Sequence, residues 1–179
     1  LLQKDYGGAN DCTLTSITAI IHYLSENQID IQTIYNFVEQ FGKKYGYASN
    51  RGTPGIAITK IFQTSLAKFK MPRAYGKFVK GIGYNFSHIK AEINKGNPII
   101  LSMYSDGQDY YANHSVTIIG YKIAVVKGKE VPIITIYDNW YKAISYIDYN
   151  KLSRISSIHF SDLTFKQRHQ MWKKLKNLK

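Results

Sequence analysis

Apolar positions in the first half of the chain recur at spacings of three and four. Leu14, Ile17, Ile20, Ile21 and Leu24 mark one face of a helix that Asn10 or Asp11 can cap. Asp30 heads a second helix with Ile31, Ile34, Phe37, Val38 and Phe41 inside, ended by Gly42. Thr53-Pro54 reads as a cap followed by a first-turn proline, and Ile58, Ile61, Phe62, Leu66 and Phe69 continue a third pattern up to Met71-Pro72. Ser87 heads a fourth helix, with Ile89 and Ile93 inside and Gly96 as its stop.

The period changes in the second half. Pro98–Met103 is short and apolar, and His114–Tyr121 is rich in β-branched residues. Val125-Val126, a turn at Lys127-Gly128-Lys129 and the run Pro132–Tyr137 complete a long hairpin over residues 116–137. Ala143–Ile147 and Ile155–Phe160 are further strand candidates. Helices first and strands second predict an α+β domain over residues 1–160, with N-terminal helices packed on a C-terminal antiparallel sheet. Residues 161–179 form a basic helical tail with Trp172, Leu175 and Leu178 on one face, which docks on the domain or meets an anionic surface.

Composition narrows the class. A chain of 179 residues, 44% hydrophobic and 20% charged, is a globular domain with a substantial core. No apolar run reaches the ~18–20 residues of a membrane span. The opening LLQKDYGG has neither a basic region nor an apolar core of the kind signal peptides carry. Net charge is +12, which favours anionic partners such as acidic cell-surface polymers. The charges are spread along the chain and cluster only in KQRHQMWKKLKNLK, so no specific nucleic-acid site is expected. A single cysteine excludes an internal disulfide, and scattered histidines give no ligand spacing for a metal. Gly81-Ile82-Gly83 lacks the third glycine and the lysine of a phosphate loop, so no cofactor is expected.

The one cysteine, Cys12, stands where the first helix begins. The positive end of the helix dipole favours thiolate over thiol, and the thiolate is the nucleophile. Among the five histidines, His22 lies about 15 Å along the same helix, His88 opens another helix, His159 ends a late strand and His169 belongs to the tail. His114 opens a strand in the polar setting Ala112-Asn113-His114-Ser115, and the opposite arm of the hairpin ends at Tyr137-Asp138-Asn139-Trp140. The start of one antiparallel strand lies beside the end of the other, so Asp138 can accept a hydrogen bond from His114 and fix its tautomer. The Cys12 N–H can donate to an oxyanion. An upstream amide such as Gln3 can join it, because Gly7 and Gly8 let the chain bend back. Tyr104, Tyr110, Tyr111 and Trp140 either line a cleft beside His114 or sit on the surface.

Gln3, Cys12 in NDCTLTSITAII, His114 in NHSVTIIGY and Asp138 in ITIYDNW, with INKGNPIILSM before the histidine, give a set that resembles the papain-like cysteine peptidases. The likeness covers roughly residues 3–150. It is greatest to the branch of bacteriocin-processing (double-glycine leader) peptidase domains and their free-standing relatives. The resemblance implies a papain-like fold with a cleft between helices and sheet. It implies hydrolysis of a peptide or amide bond by Cys12 as nucleophile, His114 as base, Asp138 as its orienting group and Gln3 at the oxyanion. Two positions depart from that branch: Thr13 follows the cysteine where its members usually carry Gly, and Asn139 follows Asp138 where relatives often carry Pro. Asn139 can also play the orienting part. The expected protein is therefore a bacterial thiol peptidase, secreted or at the cell surface, acting on a peptide or protein. The same residues also serve acyl transfer to another acceptor, and the basic surface leaves a non-enzymatic module for anionic polymers as the alternative.

Overall fold

The computed structural model describes residues 5, 8–71, 73–78, 85–104, 110–152 and 155–176. Gln3, Gly7, the Gly81–Gly83 segment and Leu178 lie outside the described residues.

Helix α1 (Cys12–Leu24) is the centre of the molecule. Its five apolar stripe residues are almost wholly buried, and so are Thr13, Thr15, Ser16 and Thr18 on its other faces. A helix buried nearly all round must have neighbours on every side. Helix α2 (Ile31–Lys44) and helix α3 (Ile58–Lys68) cover one side and the sheet covers the other. The Asp30 carboxylate caps α2 as expected, accepting the Thr33 N–H at 2.8 Å. Gly42 does not end α2. The helix runs on to Lys44, and the chain turns at Gly46 with φ +98°. Gly42 is a packing residue: a Cβ there would lie 3.0 Å from Leu14 Cδ2. A short 3-10 turn, Gly55–Ala57, separates Pro54 from α3, so the proline stands ahead of the helix rather than in its first turn.

Strand β1 (Tyr75–Phe78), which the sequence pattern does not announce, comes before helix α4 (Phe86–Asn94). Asn85, not Ser87, caps α4. Its side chain accepts the Ser87 N–H at 2.9 Å, and the His88 ring completes a capping box. Strands β2 (Ile99–Met103), β3 (His114–Val126), β4 (Lys129–Tyr137), β5 (Ile144–Asp148) and β6 (Ser157–Phe160) follow. The six strands form one antiparallel sheet in the order β1-β6-β2-β3-β4-β5. The β3–β4 hairpin pairs Thr117 with Tyr137 at its open end, within one residue of the expected bounds, while His114, Ser115 and Val116 of β3 pair only with β2. It turns at Lys127 and Gly128, both with positive φ.

All five residues of β2 are buried, and their alternation divides the core. Ile100 joins the helical core of α1, α2 and α3, while Ile99, Leu101 and Met103 pack with Val116, Ile118, Ile134 and Ile136 on the opposite face, under Ile89 of α4. This is an α+β fold of the papain-like kind. Helix α5 (Phe165–Lys176) docks by Arg168, whose guanidinium donates to the Gly96 carbonyl at 2.8 Å and to the Lys95 carbonyl. Those carbonyls follow the end of α4, where helical partners run out. Among the described residues no helix is long and apolar enough to cross a membrane.

Candidate active site

Cys12 is the first residue of α1 and is half-buried. His114 is the first residue of β3 and is 4% exposed. Both line one cavity of about 440 Å³, together with Asn10, Thr53, Tyr104 and Trp140. The elements that carry them are fastened together in the wall of the cavity itself. Thr13 and Ser115, the residues next after Cys12 and His114, share a hydroxyl hydrogen bond of 2.8 Å. Ser115 also pairs with Ser102 at 2.7 Å, its direct opposite in the β2–β3 register. Thr13, which departs from the usual glycine, thus supplies the hydroxyl that joins α1 to the sheet.

Asp138 and Asn139 both meet this junction, by other atoms than the sequence suggested. The His114 Nε2 lies 2.7 Å from the main-chain carbonyl of Asp138, not from its carboxylate. The carboxylate instead takes the N–H groups of Trp140 at 2.9 Å and Tyr141 at 3.1 Å, holding the turn after β4. The amide of Asn139 reaches Ser16 Oγ at 2.8 Å and the Ser115 carbonyl at 3.2 Å, so it joins α1 to β3 and does not orient the imidazole. Asn139 takes up φ 68°, a left-handed conformation that asparagine adopts more readily than most residues.

A carbonyl can only accept, so the ring donates from Nε2 and carries its lone pair on Nδ1. Trp140 stacks on His114 with ring centroids 3.9 Å apart, and Tyr111 stacks at 6.0 Å. This burial lowers the His114 pKa, against the smaller raising effects of the Asp138 carbonyl and carboxylate. The imidazole is therefore neutral near pH 7 and able to accept a proton. Tyr110, at 76% exposure, is a surface residue set edge-on to Trp140.

Asp11 stands in the cap position of α1, yet its side chain makes no cap bond. Its carboxylate is 1% exposed and accepts from the Tyr35 hydroxyl at 2.5 Å, the Tyr47 hydroxyl and the Gly8 N–H at 2.9 Å. Burial, then the Asp11 anion, pushes both phenols far above their ordinary range. The start of α1 is thereby tied to α2 and to the loop after it. Nothing in the local sequence around Cys12 marks this cluster, because its two phenols lie 24 and 36 residues away.

His159 is a second buried imidazole, between Thr59 Oγ1 at 2.7 Å and Ser157 Oγ at 2.9 Å. Burial pushes its pKa down to about 4. The folded ring resists a proton that the unfolded chain accepts below about pH 6.5. Stability is thus full above pH 6.5 and falls as pH drops towards 4, by on the order of 3 kcal/mol from this ring. Urea unfolding at pH 7 and pH 4.5 should show this loss, and His159→Gln should flatten the dependence.

Among the described residues no group of three His, Cys, Asp or Glu side chains could hold a metal ion. Helices packed on a six-stranded antiparallel sheet, with a cysteine at a helix start and a histidine at a strand start lining one cavity, have the arrangement of a papain-like α+β fold. The chain belongs to the Peptidase_C39 like family, whose model matches residues 2–176. It is thus a relative of the C39 cysteine peptidases over almost its whole length. A comparison with curated proteins gives no match.

Proposed function

We propose that the protein is a cysteine peptidase or amidohydrolase that works through an acyl-enzyme on Cys12. The observation that supports this most is the Thr13–Ser115 hydrogen bond, which draws the starts of α1 and β3 to one cavity with the neutral His114 in its wall. The Cys12 thiol gives its proton to His114 Nδ1 as sulfur bonds to the substrate carbonyl carbon. His114 then passes that proton to the departing amine as the C–N bond breaks. Water, deprotonated by the same nitrogen, cleaves the thioester and returns the free thiol. Asp138 orients the ring throughout. The Cys12 N–H, free of helical partners at this position, stabilises the oxyanion, with the Gln3 amide as the second donor.

Iodoacetamide should alkylate Cys12 faster than it alkylates a free model thiol at mildly acidic pH. His114→Ala should remove the excess rate. Mass spectrometry locates the adduct on Cys12, and equal rates for protein and model thiol would count against the proposal. Incubation in ¹⁸O-labelled water separates hydrolysis from transfer, since only hydrolysis places the label in the new carboxylate.

A further inference from the structure

The cavity of Cys12 and His114 carries a charged side chain that the mechanism does not use. Arg51 lines it, and among the described residues of that lining no other bears a fixed charge and none is a carboxylate. The His114 ring beside it is neutral near pH 7. Arg51 is exposed, and among the described residues no carboxylate pairs with its guanidinium.

The loop that holds Arg51 is tied to the segment that holds the nucleophile. Residues 48–52 close a tight turn, in which the Arg51 and Gly52 N–H groups both donate to the Ala48 carbonyl, at 3.1 and 2.7 Å. The side-chain amide of Asn10, two residues before Cys12, donates to the Ser49 carbonyl at 2.8 Å. Gly52 takes φ +77°, and a Cβ on it would lie 3.2 Å from the Asn10 carbonyl oxygen, so a larger residue would push the loop off this segment. Backbone contacts thus set Arg51 beside the cleft, and its side chain is not needed to hold the turn.

We infer that Arg51 makes this cleft selective for a substrate with a carboxylate close to the bond that Cys12 attacks. The inference rests on the peptidase reading and adds the charge of the substrate to it. A guanidinium offers paired N–H donors that match the two oxygens of a carboxylate. A cleft lined by one sign of charge also concentrates ligands of the other sign. An acidic side chain and the free C-terminal end of a peptide present the same group. A lysine at that place would meet like charge. The proton transfers stay with His114, so Arg51 acts on binding.

Two assays test this. In the first, Cys12 is alkylated by iodoacetate and by iodoacetamide, which are alike in size and differ in charge. With either reagent the sulfur bonds to the methylene carbon as iodide leaves. The rate ratio of iodoacetate to iodoacetamide should fall about fivefold in Arg51→Gln. It should keep its wild-type value in Lys129→Gln, which removes the same charge from an exposed residue at the tip of the β3–β4 hairpin. In the second, the wild type and Arg51→Gln hydrolyse a positional library of amidated peptides carrying Glu or Gln, and the same library with free C-termini. In the wild type kcat/KM should favour Glu over Gln at one position, or free acid over amide, by about tenfold, and Arg51→Gln should lose that preference. The amidated arm identifies a side chain and the free-acid arm a chain end. An alkylation ratio that Arg51→Gln leaves unchanged, or hydrolysis indifferent to both carboxylates, would overturn the inference and leave the peptidase reading in place. A ratio that falls as expected with no peptide cleaved would uphold the charge selectivity and overturn the peptidase reading.

Discussion

Cys12→Ala is expected to abolish amide hydrolysis, lowering kcat by about 10⁴-fold or more while the fold is retained. The size follows from the chemistry. Without sulfur no thioester forms, and the remaining oxyanion donors act only on a direct attack by water. The fold should survive because Cys12 is half-buried and its side chain is not among the apolar residues that seat α1. Those belong to Leu14, Ile17, Ile20, Ile21 and Leu24. Hydrolysis of a fluorogenic peptide, with circular dichroism as the folding control, checks both halves of the expectation. His114→Ala should cause a comparable loss, and combining the two should add little, because both act in one step. Activity in Cys12→Ala within tenfold of wild type would remove the basis for the mechanism.

The second large effect concerns stability. Asp11→Ala leaves the hydroxyls of Tyr35 and Tyr47 and the Gly8 N–H without their shared acceptor. Each of the two phenol hydrogen bonds to this charged acceptor contributes about 1.5–3 kcal/mol, so a loss of about 3–5 kcal/mol is expected. For a domain of this size that lowers Tm by roughly 10 °C. Asp11→Asn keeps an acceptor and should lose less. Tyr35→Phe/Tyr47→Phe removes the donors, so adding Asp11→Ala to that background should cost little beyond the double change. Calorimetric scans of the series measure this non-additivity. A fall of only a degree or two in Asp11→Ala would show that the cluster does not hold the start of α1.

The parts of the fold legible in the sequence were those set by one local rule. The stripe of α1, the Asp30 cap and the Lys127-Gly128 turn each follow from residues within one or two turns of each other. Where distant residues decide, local rules mislead. Gly42 looks like a helix stop, but it is where Leu14 of another helix needs space. Strand β1 carries the short run Tyr-Gly-Lys-Phe, and its pairing comes from β6, more than 70 residues on. At the site, residue types and chain order pointed to Cys12, His114 and Asp138, because thiol, imidazole and hairpin end are all visible in one dimension. Which atom of Asp138 meets the ring was not, since that depends on how the chain turns after β4. Nor was the Thr13–Ser115–Ser102 hydroxyl run legible, because three common polar residues acquire meaning only when helix and strands are apposed. Tyr111 and Trp140 were open between cleft and surface, and their stacking on His114 places them beside the ring.

The acceptor on His114 belongs to the polypeptide backbone. Every amino acid carries that oxygen, so no single exchange at position 138 can delete it. Only a shift in the path of the chain can take it away. The tautomer of the imidazole is in this sense inherited from the shape of the turn, and mutations that reshape residues 138–141 should matter more to it than the chemical identity of any one of them.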